Sequence, residues 1–435
     1  MESRSIKIKS AKNSKMSIDI IPGHFATSHS HVNYYVDMTK IKHRIAMAQE
    51  AAATLAGNYA GTPVDTIVCL EGCETVGALT VSYTHLDVYK RQGEIQMNET
   101  EALAWIHSMN RFSEKPGLDR MHRLMQLLGN PQKELRCFHV AGTNGKGSTC
   151  AMLASCLQSA GYRTGLYISP FVIDFRERMQ INGEMIPPQE LARIAEQVKA
   201  AVDVLCGEND PPVEFEVVTA IAFCWYAQQK CNYVVLEVGL GGRLDATNVI
   251  DSAIASVICT IDYDHTAILG DTLTKIAGEK CGIFKPGGLA VYSPQTDEAE
   301  SAIRFAAKEK NVHLFRPDSD DFGIFSEGLA GSEVRLCGLQ LHLPLIGRHQ
   351  IINCATAVCA LLAARDSGAL KISEEAIQAG IAEVHFPARL EKLGENPVVL
   401  LDGAHNPSGA RALSAVIGQF LAGKRVAVSY THLHL

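Results

Sequence analysis

Between residues 93 and 425, short β-branched apolar runs alternate with longer segments whose apolar positions recur at helical spacing. That alternation predicts a doubly wound α/β domain with a mostly parallel sheet. Leu135 to Val140 reads as a strand, and Gly147 to Gly161 as the helix after it, with Met152, Leu153, Cys156, Leu157 and Ala160 on its core side. Tyr233 to Gly239 and Ala253 to Ile261 are almost continuously apolar, as strands buried on both faces are. Asn98, with Glu101 three residues later, predicts a capping box opening a helix through Trp105 and Met109.

The first 80 residues have another character. Residues 40–57 are an Ala-rich helical pattern, 64–70 a strand and 71–77 the turn after it. This order resembles the opening of a phosphoribosyltransferase-like fold, without the acidic diphosphate-binding loop such enzymes need. His24, His29 and His31 lie close in sequence, but no carboxylate or cysteine completes a ligand set, so a solvated loop is expected there. The hexapeptide VSYTHL occurs at 81–86 and again at 428–433, with no shared period or flanking pattern. Each copy falls where recognisable sequence stops, and VSYTHLDVYKRQ looks like a translated library adapter. The expectation is a chimeric reading frame with seams at both places.

A chain of 435 residues with 47% apolar content can bury two or three cores. A formal charge of -7 supplies no basic field for a phosphate backbone, which argues against a nucleic-acid partner. No apolar run reaches the roughly 18 residues of a membrane span, and the Lys-rich start lacks a signal-peptide core. A cytoplasmic protein without a membrane partner is therefore expected. The thirteen cysteines contain no CxxC pair; Cys150, Cys156, Cys224 and Cys259 sit in apolar stretches and are expected as buried reduced thiols.

The strongest chemistry lies in FHVAGTNGKGST, residues 138–149. A strand ends, glycines at 142, 145 and 147 let the chain bend, and the next helix aims its unpaired N–H groups at the bend. That is a phosphate cradle. Lys146 suits β- and γ-phosphate charge, and Ser148 or Thr149 offers a hydroxyl to the magnesium ion of a nucleotide. Only two residues separate Gly142 from Gly145, so the loop is a variant of the generic P-loop.

The string Gly-Thr-Asn-Gly-Lys-Gly-Ser resembles the ATP site of the folylpolyglutamate synthase/dihydrofolate synthase family, within the Mur ligase superfamily. PGLDR (116–120), SPF with FRERMQING (169–183), FEVVTAIAF (215–223), LEVGLGGRLDATNV (236–249), the 264–287 segment, GRHQIINCATAV (347–358), FPARLE (386–391) and LDGAHNPSG (401–409) agree in order. The resemblance implies a P-loop doubly wound sheet, the Mur ligase central domain, followed by a truncated Rossmann-like C-terminal domain. It also implies a monomeric ligase that uses ATP and Mg2+ to join L-glutamate to dihydropteroate or to the γ-carboxylate of a folate through an acyl phosphate. The expected divisions are a foreign fragment at 1–80, a linker at 81–95, an ATP-binding domain at 96–390, a truncated ligase domain at 391–428 and a foreign tail at 429–435. Two other readings stay open: an inert nucleotide-binding fragment and a Mur-type peptidoglycan ligase.

By the same resemblance, Thr143, Asn144, Gly145, Lys146, Gly147, Ser148 and Thr149 hold ATP together with Asn353, Arg389 and Asp402. Ser148, Ser169, Glu237, His265 and Lys280 are implied as metal ligands, with Lys146, Glu237, His265 and Lys280 as the catalytic set. Glu237 ends a buried strand, where α/β sheets place their ligands. In the family the lysine matching Lys280 is carbamylated, which requires a depressed pKa; otherwise a lysine there would be exposed or paired with Glu279. Gly117, Leu118, Asp119 and Arg120, with Phe215, Glu216, Thr219 and His405, are implied as substrate contacts, an aromatic face stacking on the pterin. Helix packing explains the same residues equally well. Arg243, Asp245 and Asn248 are polar residues beside Glu237 that a structural turn alone leaves unexplained. Phe171 stands where many relatives carry histidine.

Overall fold

The computed structural model describes residues 97–110, 117–208, 210–318, 320 and 322–429, and the backbone of four earlier strands. The Ala-rich 40–57 segment, the 71–77 turn, the first VSYTHL copy, the end of the second and Pro116 lie outside the described residues, as do the side chains of the 23–31 segment. The chain divides into two compact units, 90–386 and 1–89 with 387–435.

In the larger unit eight strands form one sheet: β1 (Cys137–Ala141), β2 (Thr164–Tyr167), β3 (Met179–Ile181), β4 (Glu184–Met185), β5 (Tyr233–Glu237), β6 (Ala255–Ile258), β7 (Leu289–Tyr292) and β8 (His313–Phe315). Their order is β8-β7-β6-β1-β5-β2-β3-β4. The first six run parallel, and β3 and β4 form an antiparallel edge. That α/β architecture is the one the alternating pattern predicts. β1 lies between β5 and β6, so connections leave it toward both sides of the sheet and open a crevice beyond its C-terminal end.

Both faces are covered. On one, Phe138, Val140, Val235 and Val257 pack against helices α1 (Lys146–Ser159), α5 (Arg348–Asp366) and α6 (Glu374–Ala382). On the other, Cys137, Val234 and Leu236 meet α2 (Pro188–Gly207) and α3 (Glu214–Gln228). α4 (Leu273–Lys280) packs in a third cluster around Ile276 and Phe284. A three-stranded antiparallel meander, Gly323–Gly328, Gly331–Leu336 and Leu339–Leu343, lays Val334, Leu336, Leu341 and Leu343 into the α5 core. The Asn98 capping box is present, its side chain accepting from Glu101 N–H (3.0 Å) and Glu101 returning to Asn98 N–H (2.8 Å), although that helix ends at His107. Cys150, Cys156, Cys224 and Cys259 are buried thiols, all pushed up by burial, Cys259 to about 11.

In the smaller unit Thr66–Leu70 runs parallel between Val398–Asp402 and Val426–Ser429, and Glu391–Glu395 closes one edge antiparallel. The Pro407–Phe420 helix follows Asp402, and strands 6–9, 17–26 and 31–37 form a separate antiparallel sheet.

Candidate active site

The bend after β1 is built from contacts that only glycine permits at two positions. Gly142 has φ of 155°, and a Cβ there would lie 2.7 Å from the Cβ of Cys259. Gly145, at φ of 86°, opens α1, and a Cβ there would overlap the Asn353 amide on α5. Asn353 is buried and donates its Nδ2 to Gln350 (3.0 Å). The bend is stitched to the segment after β6: Thr143 N–H donates to Thr260 O (2.8 Å), and Thr143 Oγ1 exchanges hydrogen bonds with Asp262 O (3.0 Å) and Asp262 N–H (3.1 Å). Asn144 N–H reaches the same Thr260 carbonyl at 3.3 Å.

Two lysines meet one carbonyl. Lys146 Nζ donates to Gly142 O (3.1 Å) and Thr143 O (3.2 Å), and Lys280 Nζ, arriving from the end of α4, donates to the same Gly142 O at 2.8 Å. Lys280 is 4% exposed, and burial, reinforced by the charge of Lys146, lowers its ammonium to about 7. Glu279 does not pair with it; it turns outward to hold Arg243, whose guanidinium reaches Glu279 Oε1 at 2.5 Å.

Glu237, at the end of β5, is 4% exposed, and its Oε2 accepts Ser169 N–H at 2.9 Å. The same oxygen lies 3.7 Å from where a Cβ on Gly147 would stand, and the Phe386 ring closes in on that glycine. Ser148 is buried beside them. Thr149 is fully buried, its Oγ1 accepting from the Cys259 thiol (3.3 Å). His265 sits differently, in a left-handed turn (φ 47°) with its side chain 56% exposed and Asp264 3.8 Å away. Among the described residues no three His, Cys, Asp or Glu side chains converge as a ready-made metal cluster.

The implied substrate contacts are largely consumed by one another. Arg120 makes a bidentate pair with Glu216, Nε to Oε2 at 2.8 Å and Nη2 to Oε1 at 3.0 Å, both side chains being buried. Glu216 also caps α3 through Val213 N–H (2.9 Å). Thr219 is fully buried; its hydroxyl donates to Phe215 O (2.7 Å) and accepts from Tyr167 Oη (3.0 Å). Phe215 remains half-buried and lies against Gly239, where a Cβ would come within 2.6 Å of its ring. Gly117 and Leu118 are half-buried, and Asp119 is exposed at the start of the 119–127 helix. In the smaller unit Arg389, Asp402 and His405 gather around Gly403. Asp402 accepts from Leu390 and Ala404 N–H (2.9 Å each), Arg389 donates to Ala388 O (3.0 Å), and His405 Nδ1 bonds Gly403 O (2.9 Å).

One buried relay is not visible in the sequence. Thr247 Oγ1 donates to Asp245 (2.6 Å), so His139 Nε2 must donate to Thr247 (2.8 Å); burial lowers His139 to about 3 and so keeps the ring neutral. Asp245 in turn accepts Leu240 N–H (2.9 Å), holding the 239–243 loop next to Glu237. Asp245 and Thr247 are neighbours in sequence, but His139 lies 108 positions from Thr247, so no local pattern signals the relay.

The family model for the Mur ligase middle domain matches residues 216–361. A dihydrofolate synthase/folylpolyglutamate synthase of Bacillus subtilis is 41% identical over 342 residues, covering 77% of this chain and 79% of that protein. A folylpolyglutamate synthase of Lacticaseibacillus casei is 35% identical over 335 residues, covering 75% and 78%. A solved FPGS-AMPPCP-folate complex superposes with a TM-score of 0.71 at 35% identity, over 75% of this chain and 82% of that one.

Proposed function

The chain belongs to the dihydrofolate synthase/folylpolyglutamate synthase family, and from that premise we propose that its phosphate-loop crevice activates a pteroyl or folyl carboxylate for attack by L-glutamate. It is an ATP-dependent ligase with small-molecule substrates. A carboxylate is a poor electrophile; phosphorylation by ATP gives an acyl phosphate, which the glutamate amine displaces through a tetrahedral intermediate. Such chemistry asks the protein chiefly for positioning and charge neutralisation.

The residues fit a triphosphate with its divalent cation. The loop runs into α1 at Gly145, and the first turn of a helix has N–H groups without intrahelical partners to offer to phosphate oxygens. Lys146 needs only to leave its own loop carbonyls to meet the phosphates. A magnesium ion bound here would neutralise charge on the transferring phosphoryl group. Glu237 and Ser148 would hold it, and Thr149, locked to Cys259, would not. Ser169 presents its N–H to Glu237, and so positions that carboxylate. Lys280, whose ammonium burial lowers to about 7, can offer a neutral amine to carbon dioxide and, as a carbamate, would furnish a second carboxylate. Exposed His265 is reached by a ligand from the solvent side. Asn353 on the phosphate-loop side is a further nucleotide contact of this reading, and Arg389, Asp402 and His405 enter it through the resemblance of their motifs alone.

The observation that carries it is the meeting of Lys146, Lys280 and Gly142 O beyond β1, with Glu237 against Gly147. Incubating the full chain with ATP, magnesium, glutamate and dihydropteroate or tetrahydrofolate should release ADP in equal amount with a glutamylated product. Nucleotide binding without ADP release would instead identify an inert nucleotide module.

A further inference from the structure

Away from this crevice, two cysteines from different elements face one another. Cys337 is the first of the two residues in the turn joining strands Gly331–Leu336 and Leu339–Leu343, since Leu336 pairs with Leu339. Cys337 and Gly338 have φ of 51° and 80°, the left-handed pair that a two-residue hairpin turn requires. Asn, Asp or Gly normally takes the first position; a cysteine there is held against its steric preference. The turn places Cys337 Sγ 3.8 Å from Ala355 O on α5. Cys359, one helical turn beyond Ala355 on α5, lies beside Cys337 in the same cleft. Both thiols are half-buried and line one surface cleft, bordered by Gly287, Leu289, Phe315 and Leu362. They differ in this from Cys150, Cys156 and Cys259, which are sealed in the core.

We propose that Cys337 and Cys359 are a reversible modification site, a dithiol that a peroxide converts to an intramolecular disulfide stapling the hairpin to α5. Cys337, on the turn, is assigned as the attacking sulfur and Cys359, on α5, as the resolving one. Its thiolate attacks the peroxide O–O bond and becomes a sulfenic acid as hydroxide leaves. Cys359 sulfur then attacks that sulfenyl sulfur, its proton leaving with the oxygen as water. Two thiols are oxidised by two electrons, and one hydrogen peroxide is reduced to two waters. A thiol reductant reverses the reaction.

The test uses the full chain and hydrogen peroxide. After oxidation, alkylation with iodoacetamide and proteolysis, a linked peptide pair containing Cys337 and Cys359 is expected, 2 Da lighter than the two reduced peptides together and abolished by dithiothreitol. The midpoint of thermal unfolding should rise on oxidation of the native protein and stay put in Cys359→Ser. Cys337→Asn keeps the left-handed turn, so it should fold like the parent and form no link. If both cysteines remain alkylated after peroxide, or Cys359 links as readily to another cysteine in Cys337→Asn, the dithiol assignment fails.

Discussion

The phosphate-loop region and the Arg120–Glu216 region both match family motifs, yet they spend their charges in opposite ways. At the loop, Lys146 donates only to neutral carbonyls, leaving its cationic group unspent beside the crevice. Around Arg120, guanidinium and carboxylate are buried against each other and the carboxylate also caps a helix. Charge held back from a charged partner is available to a ligand; charge matched inside the fold stabilises the fold. The contrast teaches that a shared motif marks shared architecture as readily as shared contact, and that the partners of each side chain tell the two apart.

The comparison breaks most visibly at Lys146. Lys146→Ala should reduce turnover by about 10²–10³-fold while the melting temperature holds, since a preorganised phosphate cation is removed from a surface it does not support; isothermal titration with ATP and magnesium checks the binding loss. Glu216→Gln should do the reverse, costing about 1.5–3 kcal/mol in urea unfolding, because buried Arg120 loses its bidentate carboxylate and keeps only partly exposed Asp210, 3.1 Å away. Unchanged stability would make that pair dispensable and reopen it as a substrate contact.

Lys280 falls between the two regions. Its ammonium lies near 7 in the fold against an ordinary 10.5, so the unfolded chain binds the extra proton between those values. Stability should therefore climb as pH rises from about 7 to 10.5, by at most about 1.4 kcal/mol per pH unit, and be lowest below about 7. Lys280→Met should flatten that slope and, in the carbamate reading, lose turnover at every pH. The smallest effect is expected of Thr219→Val, about 1 kcal/mol from the Tyr167 hydroxyl left without its partner, with KM for the pterin substrate unchanged. A raised KM would make Thr219 part of the binding surface after all.

Local features were legible from the sequence because their causes are local. The strand, the glycine bend and the helix at 137–159 follow from apolar runs and φ requirements within a dozen residues, and the Asn98 capping box from a spacing of three. The bond from Lys280 to Gly142 spans 138 positions, and that from Arg120 to Glu216 spans 96. No pattern in either stretch announces such a partner; it appears only when strand order brings the ends together. The same holds for Thr149, whose hydroxyl looked available for a metal until Cys259, 110 residues away, was seen to occupy it. Glu279 beside Lys280 misled in the other direction, because neighbours along a helix point to different sides and Arg243 claimed the acid.

A long flexible side chain freed in solvent samples many rotamers, and confining it costs on the order of 1.5–2 kcal/mol. Lys146 has already been confined, tethered to Gly142 O and Thr143 O. An arriving polyanion therefore meets a cation that is waiting in place, and exchanges one oxygen acceptor for another with little further ordering. The tether should show itself in swift capture of nucleotide and a small entropic penalty, properties of the resting protein before any reaction begins.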